Sequence, residues 1–238
     1  MEITSIARQG SGSACRSLYS GFVQWCKGHL PDGSDSIAVQ LFPHDFWPEM
    51  RILILVVNDT RKKTSSTGGM STSVRTSKLL KHRVEHCVPQ HTKELVKALH
   101  MKDFETFGRV TMQDSNQFHA VCLDTYPPCV YMNDVSHAIV NVIHQFNDLK
   151  GEIRVAYTFD AGPNACLYLL EKDVSEMLAV INKVFPNDKL NCPEYIKGLP
   201  IDLTQLPEPA TAFTLAGQNM LKYMIYTKLG EGPKRVPI

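Results

Sequence analysis

Two short segments carry side chains able to act on a multiply charged acid. The first is Gly10-Ser11-Gly12-Ser13-Ala14-Cys15-Arg16-Ser17. Its glycines let the backbone approach an anion. A helix starting just after them would aim its free N–H groups and positive dipole end at that anion. Ser11, Ser13 and Ser17 add hydroxyl donors, and the planar guanidinium of Arg16 matches a pair of carboxylate or phosphate oxygens. The segment has neither the lysine nor the spacing of the G-x-x-x-x-G-K-[ST] loop. On spacing alone, a serine-capped helix start is the simpler reading. The second segment is Tyr157-Thr158-Phe159-Asp160-Ala161-Gly162-Pro163-Asn164-Ala165. It sets a carboxylate, Asp160, at the C-terminal end of an apolar run, where a base is well placed. Asp-Ala-Gly-Pro-Asn is also good turn chemistry, and the spacing alone favours the turn.

Three further groups are candidates. Ser65-Ser66-Thr67-Gly68-Gly69-Met70 reads either as a source of phosphate contacts or as a plain connection rich in small residues. His82 and His86 stand four apart on an expected helix. Their order is H-R-V-E-H rather than H-E-x-x-H, so a solvated helix face is preferred to a metal site, and no metal-ligand set is assigned. Asp114-Ser115-Asn116-Gln117-Phe118-His119 is polar within a helix. It either lines a cleft or forms a hydrogen-bond cluster at a helix end.

The elements that must position these residues follow from periodicity. Residues 2–9 have helical spacing that begins at once after Met1, which suggests further sequence upstream. Gly10 to Ser13 break that pattern, and a short helix restarts near Ser13. Residues 19–26 and 36–42 alternate as strands around the Pro31-Asp32-Gly33 turn. Met50 to Val57 is a continuous apolar strand of the kind covered on both faces. Residues 64–73 read as a polar loop, followed by helices at 74–87, 90–101 and 103–119, with Pro89 breaking the first from the second. In 134–147, Val135, Ala138, Ile139, Val142, Ile143 and Phe146 share one helix face, and Asn133 is its expected cap. Strands are expected from Glu152 to Phe159 and on through Leu170, then a helix at 174–185, a proline-broken connection at 186–209, and a last strand at 221–229. Strands separated by a block of helices give an α+β fold, with helices packed against one face of a sheet.

Composition narrows the class. The 238 residues are 43% hydrophobic and 21% charged, enough for a full core in one or two domains. A formal net charge of +1 gives no general attraction to nucleic acid, and the Arg61-Lys62-Lys63 run reads as a solvated loop. The longest apolar run, Ile52 to Val57, is far too short to span a bilayer. Seven cysteines without a C-x-x-C pair read as reduced thiols of a cytosolic protein.

The ordered set of motifs resembles one family. The run Gly10 to Leu18, the loop Ser65 to Met70, the Asp114-Ser115-Asn116-x-Phe118-His119 cluster, Cys122-Leu123-Asp124 and the run Tyr157 to Ala165 are similar, in order, to the mevalonate diphosphate decarboxylases of the GHMP kinase-like superfamily. The resemblance implies a GHMP-type C-terminal domain over residues 50–238, with helices on an antiparallel sheet, and a remnant of the N-terminal domain over residues 1–49. It implies ATP-dependent conversion of mevalonate 5-diphosphate to isopentenyl diphosphate, with Mg2+ accompanying the ATP, in a homodimer of the isoprenoid and sterol pathway. It casts Asp160 as the catalytic carboxylate and Arg16 as the holder of the substrate carboxylate. Ser11, Gly12 and Ser13 fall in the substrate site, with Ser66 and Met70 near it.

The chemistry suits those roles. A carboxylate of pKa about 3.9 cannot fully deprotonate an alcohol near water's value of about 15.7, a gap of roughly 16 kcal/mol. Asp160 must therefore orient the hydroxyl and take its proton only as the oxygen–phosphorus bond forms. The family's Pro-x-x-x-Gly-Leu-x-Ser-Ser loop for the ATP phosphates, and a lysine and tyrosine near the substrate, are expected upstream of Ile3. Little turnover is therefore expected of these 238 residues alone. The alternative is a non-catalytic product that keeps only substrate or dimer contacts.

Overall fold

The computed structural model describes residues 3–57 and 65–234, so the Arg61-Lys62-Lys63 run lies outside the described residues. The chain begins with α1 (Ile3–Gly10), a 3-10 helix (Gly12–Leu18), β1 (Phe22–Trp25), β2 (Ala38–Phe42) and β3 (Met50–Val56). A helical block follows: α2 (Ser66–Thr76), α3 (Lys78–His82), a π turn (Arg83–Cys87), α4 (Val88–Met101), α5 (Phe104–Asp124) and α6 (Asp134–Lys150). The chain closes with β4 (Val155–Phe159), β5 (Ala165–Leu170), α7 (Val174–Val184), β6 (Ile196–Gly198) and β7 (Tyr223–Lys228). The fold is α+β.

The residues fall into two compact units, one reaching to Met50 and resuming at Lys228, the other running Arg51–Thr227. From Lys228 onward the chain packs with the first unit. Backbone pairing decides this: the Gly21 N–H donates to the Gly230 carbonyl at 2.9 Å, and Gly232 lies against the backbone of Tyr19 and Ser20.

In the first unit, β1 and β2 pair antiparallel with a bulge between Phe22 and Val23. The Thr4 hydroxyl of α1 accepts from the Ala38 N–H at 3.1 Å, which fastens the helix to β2. Gly21 has φ +68°, and the backbone of Phe42 to His44 crowds the place a side chain would take.

In the second unit, five strands form one sheet in the order β4-β5-β3-β7-β6. β4 and β5 pair antiparallel, Val155 opposite Leu169 and Phe159 opposite Ala165. β6 runs parallel to β7, Ile196 opposite Met224, so the sheet is mixed rather than wholly antiparallel. This short edge strand sits inside the proline-rich stretch expected to be connection. Three residues are too few to show a period of two. The core joins Leu53 and Leu55 of β3 to Ile139, Ile143 and Phe146 of α6, Tyr157 of β4, Leu167 and Leu169 of β5, and Met177 and Leu178 of α7.

Two expectations about helices are corrected. Residues 66–76 are not a loop but α2, which starts where the Ser65 hydroxyl accepts from the Gly68 N–H. Two adjacent glycines hide the helix from propensity. The gain comes instead from packing, because Gly69 is buried against the Tyr131 hydroxyl and the Cys129 sulfur. Pro89 does not separate two helices either, since α3, the π turn and α4 follow one another without a break. The Val88 N–H reaches the Arg83 carbonyl five residues back, a widened turn directly before a ring that can donate no hydrogen bond of its own.

Candidate functional site

Asp160 is exposed one residue past the end of β4. The peptide before it is fixed by α5. The Phe159 N–H donates to the Ser115 hydroxyl at 3.0 Å, and His119 Nε2 bonds the Phe159 carbonyl at 3.3 Å. A carbonyl only accepts, so that nitrogen carries the proton. The turn after Asp160 is fixed from two other directions. The Gly162 N–H donates to the Asp160 carbonyl at 2.7 Å, and the Ser136 hydroxyl donates to the Pro163 carbonyl at 2.8 Å. The Asn164 carboxamide oxygen accepts from the Val57 N–H at the end of β3, at 2.9 Å. Ser136 also closes a capping box with Asn133, the residue expected to cap this helix, so the start of α6 and the turn share one hydroxyl. The turn reading and the base reading of Asp160 are thus compatible: the turn is what presents the carboxylate.

The polar run in α5 is hydrogen-bonded to its neighbours. Asp114 binds Arg83 at 2.8 Å and His91 at 3.1 Å, and Arg83 also reaches Gln117. Burial pushes the Asp114 pKa up, but the Arg83 and His91 bonds outweigh it and leave the carboxyl below its ordinary value. Asn116 accepts from the Tyr157 hydroxyl at 3.1 Å, and His144 bonds that hydroxyl from the other side. Burial holds His119 below the usual histidine range, against the opposing pull of the Phe159 carbonyl and the Asp160 charge.

Tyr131 and Cys166, which feel the Asp160 charge, are neutral at pH 7. Burial first, then the neighbouring thiols, raise Tyr131 to about 12, and burial raises Cys166 to about 11. Burial likewise raises Cys122 to about 11, so these thiols are not nucleophiles at neutral pH. All seven cysteines are free.

Ser66 and Met70 are exposed on the first turns of α2, and Gly69 between them touches the Tyr131 hydroxyl. The helix is pinned to the C-terminal end of α5. Ser73 bonds Thr125 at 2.7 Å, Ser77 donates to Asp124 at 2.7 Å, and the Tyr126 N–H donates to Thr76.

In the first unit, Ser11, Ser13 and Arg16 are exposed, and no side-chain hydrogen bond or ion pair engages them among the described residues. Ser11 stands at the N-cap position of the 3-10 helix but makes no side-chain cap bond, so capping is not what its hydroxyl does. Gly12 has a packing reason of its own, because a Cβ there would lie 2.9 Å from the Trp25 ring. Trp25 is held by its indole N–H on the Ser36 hydroxyl at 3.0 Å.

His82 and His86 are exposed with ring centres 4.8 Å apart. Among the described residues, no group of three or more His, Cys, Asp or Glu is placed to hold a metal ion. Among the described residues, no helix is long and apolar enough to cross a membrane. Sequence reasoning missed Tyr131, Ser136 and Asn147. Only Asn147 left a trace, as an amide next to the most buried stripe of α6.

Known proteins resemble this chain in sequence and fold. The model of the mevalonate 5-diphosphate decarboxylase C-terminal domain matches residues 52–236, and that of the diphosphomevalonate decarboxylase-like N-terminal domain matches residues 1–38. The diphosphomevalonate decarboxylase of Danio rerio is 49% identical, over 99% of this chain and 59% of its own length. The solved mevalonate diphosphate decarboxylase from Trypanosoma brucei superposes with TM-score 0.90 at 32% identity, covering 98% of this chain and 62% of that one. An Enterococcus faecalis structure, described in terms of a mevalonate diphosphate mediated ATP binding mechanism, superposes with TM-score 0.68 at 28% identity, over 77% of this chain and 54% of that one. The chain therefore spans about 59% of the length of the Danio rerio relative. With matching models at both ends and matching solved structures along its length, this chain belongs to the diphosphomevalonate decarboxylase family.

Proposed function

We propose that this chain supplies the base-bearing and acid-gripping parts of an ATP-dependent decarboxylase. Its substrate is mevalonate 5-diphosphate, and its products are isopentenyl diphosphate, ADP, phosphate and carbon dioxide. The observation that carries the reading is the exposed Asp160 carboxylate, on a turn anchored from α5, α6 and β3. Its role is to orient the tertiary hydroxyl and accept the proton as that oxygen bonds to phosphorus. Departure of the phosphate then draws electrons from the breaking carbon–carbon bond, and carbon dioxide leaves. Arg16 holds the carboxylate that becomes carbon dioxide. Ser11, Gly12 and Ser13 line the substrate's anionic groups, the two serines with exposed hydroxyls that no described side chain occupies. Ser66 and Met70 contribute from the first turns of α2.

ATP is the co-substrate in this reading, and Mg2+ neutralises its phosphates. An ion held mainly by phosphates and water needs only one or two protein carboxylates. A second copy of the chain is the proposed partner, supported by exposed apolar side chains such as Val74, Tyr126 and Val130. A reducing compartment such as the cytosol suits seven free thiols.

The test joins calorimetry to release of labelled carbon dioxide from carboxyl-labelled mevalonate diphosphate. A charge-assisted bond is worth about 1.5–3 kcal/mol, so Arg16→Gln weakens substrate binding at least about tenfold. Asp160→Asn leaves binding within about twofold but removes whatever ATP-dependent release the unaltered chain shows. Undiminished release by Asp160→Asn, or unchanged binding by Arg16→Gln, overturns the respective role.

A further inference from the structure

Among the described residues β4 is an edge strand, so the outward N–H and C=O groups of its alternate residues have no strand partner there. Helix side chains supply partners at two of these positions. At Val155, Asn147 of α6 does both jobs: its carboxamide oxygen accepts from the Val155 N–H at 3.1 Å, and its NH2 donates to the Val155 carbonyl at 2.8 Å. At Phe159 two residues of α5 divide the work, Ser115 accepting from the N–H and His119 donating to the carbonyl. Val155 is remote from the turn, whereas Phe159 adjoins Asp160. Ser115 and His119 stand four apart, one helical turn, so both reach the same residue from one face of α5.

We propose that Ser115 and His119 are positioning residues for Asp160: by fixing both polar groups of Phe159, they set the direction in which the next carboxylate leaves the strand. The inference rests on the base role given to Asp160. It adds that the α5 cluster, besides closing a sheet edge, aims the reacting group. Cross-strand pairing with Ala165 alone leaves the outer groups of Phe159 unmatched at the strand's last residue, where an edge frays most easily. A carboxylate carried by the residue next to a frayed peptide samples several directions. A misplacement of about 1 Å at a reacting group can lower a rate about a hundredfold.

The test uses the full chain and NMR, with Val155 as the internal reference. Ser115→Ala raises amide hydrogen exchange at Phe159 at least about tenfold while Val155, still held by Asn147, exchanges as before. The carboxyl carbon resonance of Asp160, assigned by its loss in Asp160→Asn, moves in Ser115→Ala and in His119→Ala. It stays near its original position in His119→Gln, whose amide N–H can still donate to the Phe159 carbonyl. A purely structural role predicts a different pattern: Phe159 and Val155 loosening together, or the Asp160 resonance unmoved in both alanine variants. Either result overturns the proposal. If the NMR pattern holds but Asp160→Asn retains carbon dioxide release, the base role of Asp160 falls and the clamp on its backbone stands.

Discussion

Asn147 shows how one side chain can stand in for a strand. It is buried, and its two polar atoms complete both backbone groups of Val155 while its oxygen also accepts from the Arg154 N–H at 3.0 Å. Asn147→Leu keeps the volume but strands the Val155 N–H and carbonyl in a region with no exposure to water. Each unmet buried group costs about 1–3 kcal/mol, so a loss on the order of 3 kcal/mol is expected from urea unfolding. His119 gives the second expectation. Burial keeps its imidazole neutral in the fold, with Asp160 opposing that shift and His137 reinforcing it. The folded pKa lies below the reference value of about 6.5, so as pH falls the unfolded chain takes up the proton first. The contribution to stability is complete above about pH 6.5 and is lost as pH falls from there through the lowered folded value. Unfolding free energies measured between pH 7.5 and 5 therefore drop less in His119→Gln than in the unaltered chain. An equal drop in both would assign the acid sensitivity to other groups.

α2 illustrates how an element can form against its own composition. Its two glycines oppose helix formation, yet the Ser65 cap, the Ser73–Thr125 bond and the Ser77–Asp124 bond fasten it to α5. Gly69 is where it approaches closest, and an added methyl would overlap the Tyr131 hydroxyl. Gly69→Ala gains about 1 kcal/mol of helix propensity but incurs about 1–3 kcal/mol of overpacking. Packing wins. Net destabilisation of about 1 kcal/mol is expected, and a stabilised variant would show that Tyr131 yields freely. The π turn before Pro89 is a comparable compromise. Arg83, in its first position, makes the partly buried pair with Asp114 that ties this irregular stretch to α5.

Across the chain, the proposed activity requires that variants sparing the fold separate binding from turnover. Arg16→Gln acting on affinity and Asp160→Asn acting on carbon dioxide release would do so, each read within its own unit. Much of this was legible beforehand because it is local. The Asn133 cap, the apolar stripe of α6, the continuous run of β3 and the turn after Phe159 each depend on residues a few places apart. Short motifs in a fixed order were enough to indicate the family. What stayed hidden is non-local. The Phe159 peptide is held by residues 40 and 44 positions away, Val57 by Asn164 at 107, and Gly21 by a residue near the other end of the chain. Residue types and their spacing could single out Asp160 and Arg16 as candidates, because charge and hydrogen-bonding capacity belong to the side chain itself. Which way Asp160 is aimed, why Gly69 must lack a side chain and where the C-terminal tail belongs were decided only on folding. Orientation and close packing arise between segments that no sequence window holds together.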